Sequence, residues 1–208
     1  MSSEGAARIA ARQRSTEPRS TADRVLDAAL VSFAAPGFDA TSLDGLAAEL
    51  GIRKQTILYY YRSKEVLLGA VIDRAVAELV DAFDVATTAA PVHVERPAIV
   101  IDTILRLGAG RPELLALLWQ VARRGAASSG RLAEGVQPLF EQLVAYLCGP
   151  GRASGATRRR IGIAVRAVAA RVLGLAVEVE MRRALGITAD LAWLRHRRSD
   201  LLRELRAP

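Results

Sequence analysis

Cysteine is almost missing from this chain. Cys148 is the single one in 208 residues, so no disulfide can form within the chain and nothing points to an oxidising compartment. Histidine is nearly as scarce, at His93 and His196 alone. One thiol and two imidazoles so far apart make no nucleophile–base set and no metal-ligand spacing. We therefore assign no catalytic residue, no metal site and no cofactor, and expect no enzyme activity. Long uninterrupted apolar runs are missing too. The most apolar stretch, residues 161–177, carries Arg166 and Arg171 near its middle, where charge in a bilayer is costly, so it reads as a buried helix and not a membrane span. The first twenty residues hold Glu4, Arg8, Arg12, Arg14 and Arg19 and no apolar core, which does not suit a secretory signal. A cytoplasmic protein without membrane contact is expected. Lysine is the last scarcity. Among 29 basic residues only Lys54 and Lys64 are lysine, both within one stretch of eleven residues.

Apolar residues make up 51% of the chain, enough for a substantial core, and the net charge of +7 with a pI near 10.4 favours a polyanionic partner. Residues 1–19 read as a disordered basic arm. Ser20 and Asp23 then stand at capping-box spacing before the helical stripe Val25, Leu26, Ala29, Leu30 and Phe33, which Pro36-Gly37 should stop. Thr41-Ser42-Leu43-Asp44 repeats the capping pattern, with Thr41 as a cap, and opens a short helix ended by Gly51. A third helix spans about 53–60, and Ser63 caps a fourth, 63–83. From 86 to 97 small residues and proline suggest a connection. Further helices are expected over 98–107, 112–124, 128–147, 157–185 and 188–205, punctuated by Gly108, Gly110, Gly125, Gly149 to Gly151 and Gly186. No period-two pattern argues for a sheet. The expected fold is all-α, about nine helices, with a small N-terminal unit at 20–66 and a larger second unit at 67–208.

Residues 39–64 carry the functional signal. Two short helices meet at a glycine turn, and the second bears Arg53, Lys54, Gln55, Thr56, Tyr59 and Tyr60, an arrangement that reads as a helix-turn-helix. Leu43, Leu46, Ala47, Leu50, Ile52 and Ile57 would fix the pair on the first helix, leaving the outer face of the second to enter a major groove. Arg53, Gln55 and Thr56 are the candidates for reading base edges, and Lys54 for a phosphate. Lys64, at a helix N-terminus, suits a phosphate, as do the hydroxyls and amides of Thr41 and Ser42. Tyr61 is expected to close the small core.

The runs Val25-Leu26-x-Ala28-Ala29-x-x-x-Phe33, Gly37-Phe38-x-Ala40-Thr41-Ser42, Leu46-Ala47, Gly51-Ile52-x-Lys54-x-Thr56-Ile57 and Tyr60-Tyr61-x-Ser63-Lys64-Glu65-x-Leu67 resemble the tetracycline-repressor (TetR) family over about 48 residues. Leu58 stands where that family usually has tyrosine, so a tyrosine–phosphate contact falls to Tyr59 or Tyr60. Arg53 stands where serine is common. The resemblance implies a regulator that binds a palindromic operator on double-stranded DNA as a homodimer and answers to a small-molecule effector.

In the second unit the helix at 157–185 is apolar on several sides, through Ile161, Ala164, Val165, Val168, Val172, Leu175 and Val179. The helix after it offers Leu191, Leu194, Leu201, Leu202 and Leu205. Such a hairpin could pair with its copy as a four-helix dimer interface. The resemblance also suggests an effector pocket between 101 and 146. Ile104, Leu115, Trp119, Phe140, Val144 and Met181 are candidate linings, with Arg123 one turn from Trp119 as a polar anchor and a mostly apolar ligand as occupant. Two other readings stay open: a ligand-independent regulator or activator with the same DNA-binding unit, and a nonspecific polyanion or membrane-surface binder using Arg158 to Arg160 and Arg195 to Arg198.

Overall fold

Three serines start three of the four helices that build the N-terminal region, each by the same device. Ser20 Oγ accepts from the Asp23 amide at 3.1 Å, Ser42 Oγ from the Gly45 amide at 2.9 Å and Ser63 Oγ from the Val66 amide at 3.2 Å. Each satisfies one of the amides that a helix start leaves without a partner. The computed structural model describes residues 20–91, 94–151, 153–187 and 191–206, and these are all-helical, with no strand among them. The helices are α1 (Thr21–Ser32), α2 (Leu43–Leu50), α3 (Lys54–Tyr60), α4 (Lys64–Thr88), α5 (Arg96–Gly110), α6 (Pro112–Arg123), α7 (Ala126–Cys148), α8 (Gly155–Ala184) and α9 (Leu191–Arg206). The expected all-α class and nine helices are found. The basic arm with Arg8, Arg12, Arg14 and Arg19 lies outside the described residues.

Several boundaries differ from expectation, each for a local reason. Pro36-Gly37 ends α1 through a wider π turn, Phe33–Gly37, in which Gly37 takes φ 92°. α4 runs on to Thr88, taking in Ala86, Thr87 and Thr88, which were first read as the start of a connection. α5 passes through Gly108 without a break. A Cβ there would lie 2.7 Å from Leu115 Cδ1, so this glycine serves the close approach of α6 to α5. Pro138 is accommodated inside α7.

Two apolar cores organise the chain. The first packs Val25, Ala29 and Phe33 against Leu46, Ala47, Ile57, Leu67 and Val71, and draws in Leu114, Leu117, Leu118 and Val121 from α6. The second joins Phe83 of α4 and Ile101 of α5 to Leu139 and Leu143 of α7, Val165, Val168 and Val172 of α8, and Leu201, Leu202 and Leu205 of α9. Helix α6 is thus part of the N-terminal core although it follows in sequence. Ion pairs tie the same elements. Arg74 on α4 meets Asp23 at 3.2 Å and Asp27 at 3.0 Å on α1, while Arg111 meets Glu78 at 2.8 Å. Among the described residues no helix is long and apolar enough to cross a membrane.

Candidate functional site

The turn between α2 and α3 is set by Gly51, at φ 67° and ψ 31°, a left-handed conformation that costs glycine little. Its amide bonds Ala48 O at 3.2 Å and the Ile52 amide bonds Ala47 O at 3.0 Å, closing α2 with a Schellman pair. Arg53 then starts α3 in extended conformation, and Ile57, fully buried, pins the helix to the core. With Ile57 fixed inward, Arg53, Gln55 and Tyr59 face outward, Tyr59 at 82% exposure. Tyr60 is 44% exposed and meets Tyr59 edge-on at 5.1 Å. Thr56 is half-buried beside them. This face is a ridge of long polar and aromatic side chains on one short helix, the shape that a major groove admits.

The remaining DNA candidates divide. Lys54 Nζ lies 2.8 Å from Asp44 Oδ2, an exposed ion pair between α3 and α2. Ser42 caps α2 and stays exposed. Thr41 is a correction: it is buried, Ser42 and not Thr41 caps the helix, and the Thr41 hydroxyl bonds Ser32 O and Gly37 O, both at 2.9 Å. That hydroxyl stitches the π turn to α2 and does not project outward. Tyr61 closes the core as expected. Its hydroxyl donates to Ala22 O at 3.4 Å, and its pKa is raised by burial and by the charge of Asp23, against the opposing pull of Arg74.

Lys64 opens α4 behind the Ser63 cap, with Nζ 4.1 Å from the centre of the Phe38 ring. The same ring carries a second cation. The Arg124 guanidinium lies 3.6 Å from its centre and holds both carboxylate oxygens of Asp39 at 3.0 Å. The sequence reading missed this assembly. Asp39 and Arg124 are 85 positions apart and no local pattern links them.

A second candidate site lies where the two cores meet. An apolar cavity of about 130 Å³ is walled by residues of α4 to α9, among them the expected Ile104, Leu115 and Phe140. Four expected linings are corrected. Trp119 and Arg123 do not reach the cavity; they stack on each other, with the guanidinium 5.4 Å from the indole. Val144 faces Gly162 of α8 instead, and Met181 is 61% exposed near the far end of α8. In their place stand Leu79 and Phe83 of α4 and Val165, Val168, Ala169 and Val172 of α8. The signal for α8 was visible, because its several apolar sides had to meet something, but they were all given to a partner subunit. Val165, Val168, Val172, Leu201, Leu202 and Leu205 are in fact buried within their own chain. Among the described residues, the large apolar side chains that α8 and its end leave exposed are Ile163, Met181, Leu185 and Ile187.

Residues 25–71 match the family described as bacterial regulatory proteins, tetR family. The HTH-type transcriptional repressor SCO4008 of Streptomyces coelicolor is 32% identical over 119 residues, which span 57% of this chain and 58% of that protein. Among solved structures, the regulator FadR of Bacillus subtilis in complex with stearoyl-CoA superposes with a TM-score of 0.70 at 15% identity, over 89% of this chain and 98% of that one. A transcriptional regulator of Saccharomonospora viridis in complex with choline gives 0.64 at 17% identity, over 86% and 92%. At such identities the structures share the fold alone, and their ligands differ widely.

Proposed function

We propose that this chain is a member of the tetR family of bacterial regulatory proteins, which its residues 25–71 match, and that it is a cytoplasmic repressor that holds a palindromic operator as a homodimer and releases it when a small apolar ligand enters the cavity. The observation that carries the DNA half is the outward ridge of α3, with Arg53, Gln55 and Tyr59 exposed around a buried Ile57. Arginine and glutamine can make bidentate bonds to guanine and adenine, while Lys64 beside the α4 N-terminus suits a phosphate. Residues 20–66 form the reading unit and residues 67–208 the effector and dimerisation unit. The exposed Ile163, Met181, Leu185 and Ile187 supply the self-complementary patch, because two copies are needed to set two reading helices about one DNA turn (~34 Å) apart.

The ligand half rests on the wholly apolar wall of the cavity. With no polar side chain in the wall, only a hydrocarbon part can be seated there without stranding hydrogen-bonding groups. An acyl chain, as in the stearoyl-CoA complex of the Bacillus subtilis regulator, is that kind of ligand. The enclosed volume holds a fragment of about benzene size, so a longer chain must part α6 and α8, a movement able to bias the reading helices.

The test is selection of bound duplexes from a random pool by the purified protein. A two-fold symmetric consensus with half-sites about one turn apart is expected. A pool that stays random after repeated rounds removes the proposal.

A further inference from the structure

The assembly at Phe38 puts a residue from the far side of the chain at the edge of the reading unit. Arg124 caps the C-terminus of α6, and Gly125, at φ 114°, turns the chain away immediately after it. From that corner its guanidinium carbon lies 3.6 Å from the centre of the Phe38 ring, and one terminal nitrogen, Nη1, bonds both oxygens of Asp39 at 3.0 Å. The side chain of Arg124 is 27% exposed and that of Asp39 88%, so the pair is open to solvent on the carboxylate side while the guanidinium stays over the ring. Lys64 shares the same ring.

The chemistry of the three groups conflicts with DNA binding unless Arg124 is present. Lys64 is a phosphate contact only while its charge is available to the duplex. An exposed carboxylate at Asp39, next in sequence to the ring on which Lys64 rests, repels phosphate and competes for the ammonium. A guanidinium nitrogen shared between a carboxylate's two oxygens makes charge-assisted bonds to both and offsets its charge where it stands. Resting on the DNA-binding reading above, we propose that Arg124 is a positioning residue for operator binding, which neutralises Asp39 and braces Phe38 so that Lys64 is left to the DNA backbone. The proposal places part of the DNA affinity outside the matched residues 25–71. It also gives α6 two duties, since the helix that ends at Arg124 supplies Leu115 and Leu118 to the cavity wall. A shift of α6 is then felt directly at Asp39.

The experiment measures affinity for a duplex that the wild-type protein has itself selected, using Arg124→Ala, Asp39→Asn and the double variant, with melting curves alongside. Arg124→Ala is expected to weaken binding roughly tenfold, the scale of a misplaced interface charge in each of two subunits. Adding Asp39→Asn is expected to restore most of that loss, because the competing carboxylate is gone. Arg124→Met, which keeps the stem on the ring, serves if the alanine variant does not fold. Affinity within about twofold of wild type for Arg124→Ala, or a loss that Asp39→Asn leaves in place, overturns the proposal while the wild-type selection still stands. A wild-type protein that selects no sequence fails at the earlier step and takes this inference with it.

Discussion

Replacing Ala169 by leucine should stabilise the protein and close it to apolar ligands at once. Ala169 lines the cavity from α8, a helix in which leucine is tolerated nearly as well as alanine. A cavity volume of about 130 Å³, at about 24 cal/mol per Å³, corresponds to roughly 3 kcal/mol of packing not made. Leucine adds three carbons, worth about 0.8 kcal/mol each when buried, from which the freezing of the side chain subtracts a fraction. The net gain should be about 1–2 kcal/mol, which for a domain of this size raises the melting temperature by roughly 5 °C. Benzene is a fitting probe, because dry cavities of this size accept it. At ten times its dissociation constant it should add about 1.4 kcal/mol to wild-type stability. It should add nothing measurable to Ala169→Leu. Differential scanning calorimetry with and without benzene reads both effects. A lower melting temperature for Ala169→Leu, or equal stabilisation of both proteins by benzene, would show that the space is not an accessible apolar site.

Arg53→Ala should relax preference at one operator position by roughly 1–3 kcal/mol, seen as a degenerate base in a repeated duplex selection, whereas Lys64→Ala should weaken all sequences alike and reduce the salt slope by about one. An unchanged consensus for Arg53→Ala removes that residue from the base readers. Thr41→Val should cost about 1–3 kcal/mol in urea unfolding, since the Ser32 carbonyl loses its 2.9 Å donor inside the domain. A variant as stable as wild type would mean that the hydroxyl is not spent inward. At Glu178 burial works against the charged form, but hydrogen bonds from Arg197 at 2.7 Å and Trp193 at 2.9 Å outweigh it and hold the carboxyl below its ordinary 4.5. A depressed carboxyl stabilises the fold above its unfolded-state value, and that contribution fades as the pH falls through 4.5 and below. Melting temperatures of Glu178→Gln should therefore be lower near neutrality and vary less with pH across that acidic window. Parallel curves for the two proteins would contradict the pairing.

The N-terminal region was the more legible in sequence because its signals are local. Ser20, Ser42 and Ser63 announce helix starts, Gly51 announces the turn, and the spacing of Leu46, Ala47 and Ile57 declares which faces are buried. The exposed ridge of α3 follows from these alone. Thr41 went astray because two adjacent hydroxyl residues offer the same capping signal. Only the packing of the π turn decides that Ser42 caps and Thr41 turns inward. The cavity was half legible. Ile104, Leu115 and Phe140 carry helical spacing, but whether an apolar residue lines a void or fills a core depends on helix–helix distances that no spacing records. Trp119 and Arg123 looked like an aromatic wall with an anchor and instead satisfy each other. The walls from Phe83 and Val168 and the bond from Arg124 to Asp39 each join residues 85 positions apart. They became visible only when α6 was seen to pack into the N-terminal core.

The most direct measurement is an equilibrium titration of the protein against a duplex that it has selected and against a scrambled duplex of equal length, at physiological salt and with stoichiometry determined. The account predicts a preference of at least about a thousandfold for the selected duplex, with two protomers bound to each. Equal affinity for both duplexes, or a single protomer on the selected one, would contradict it.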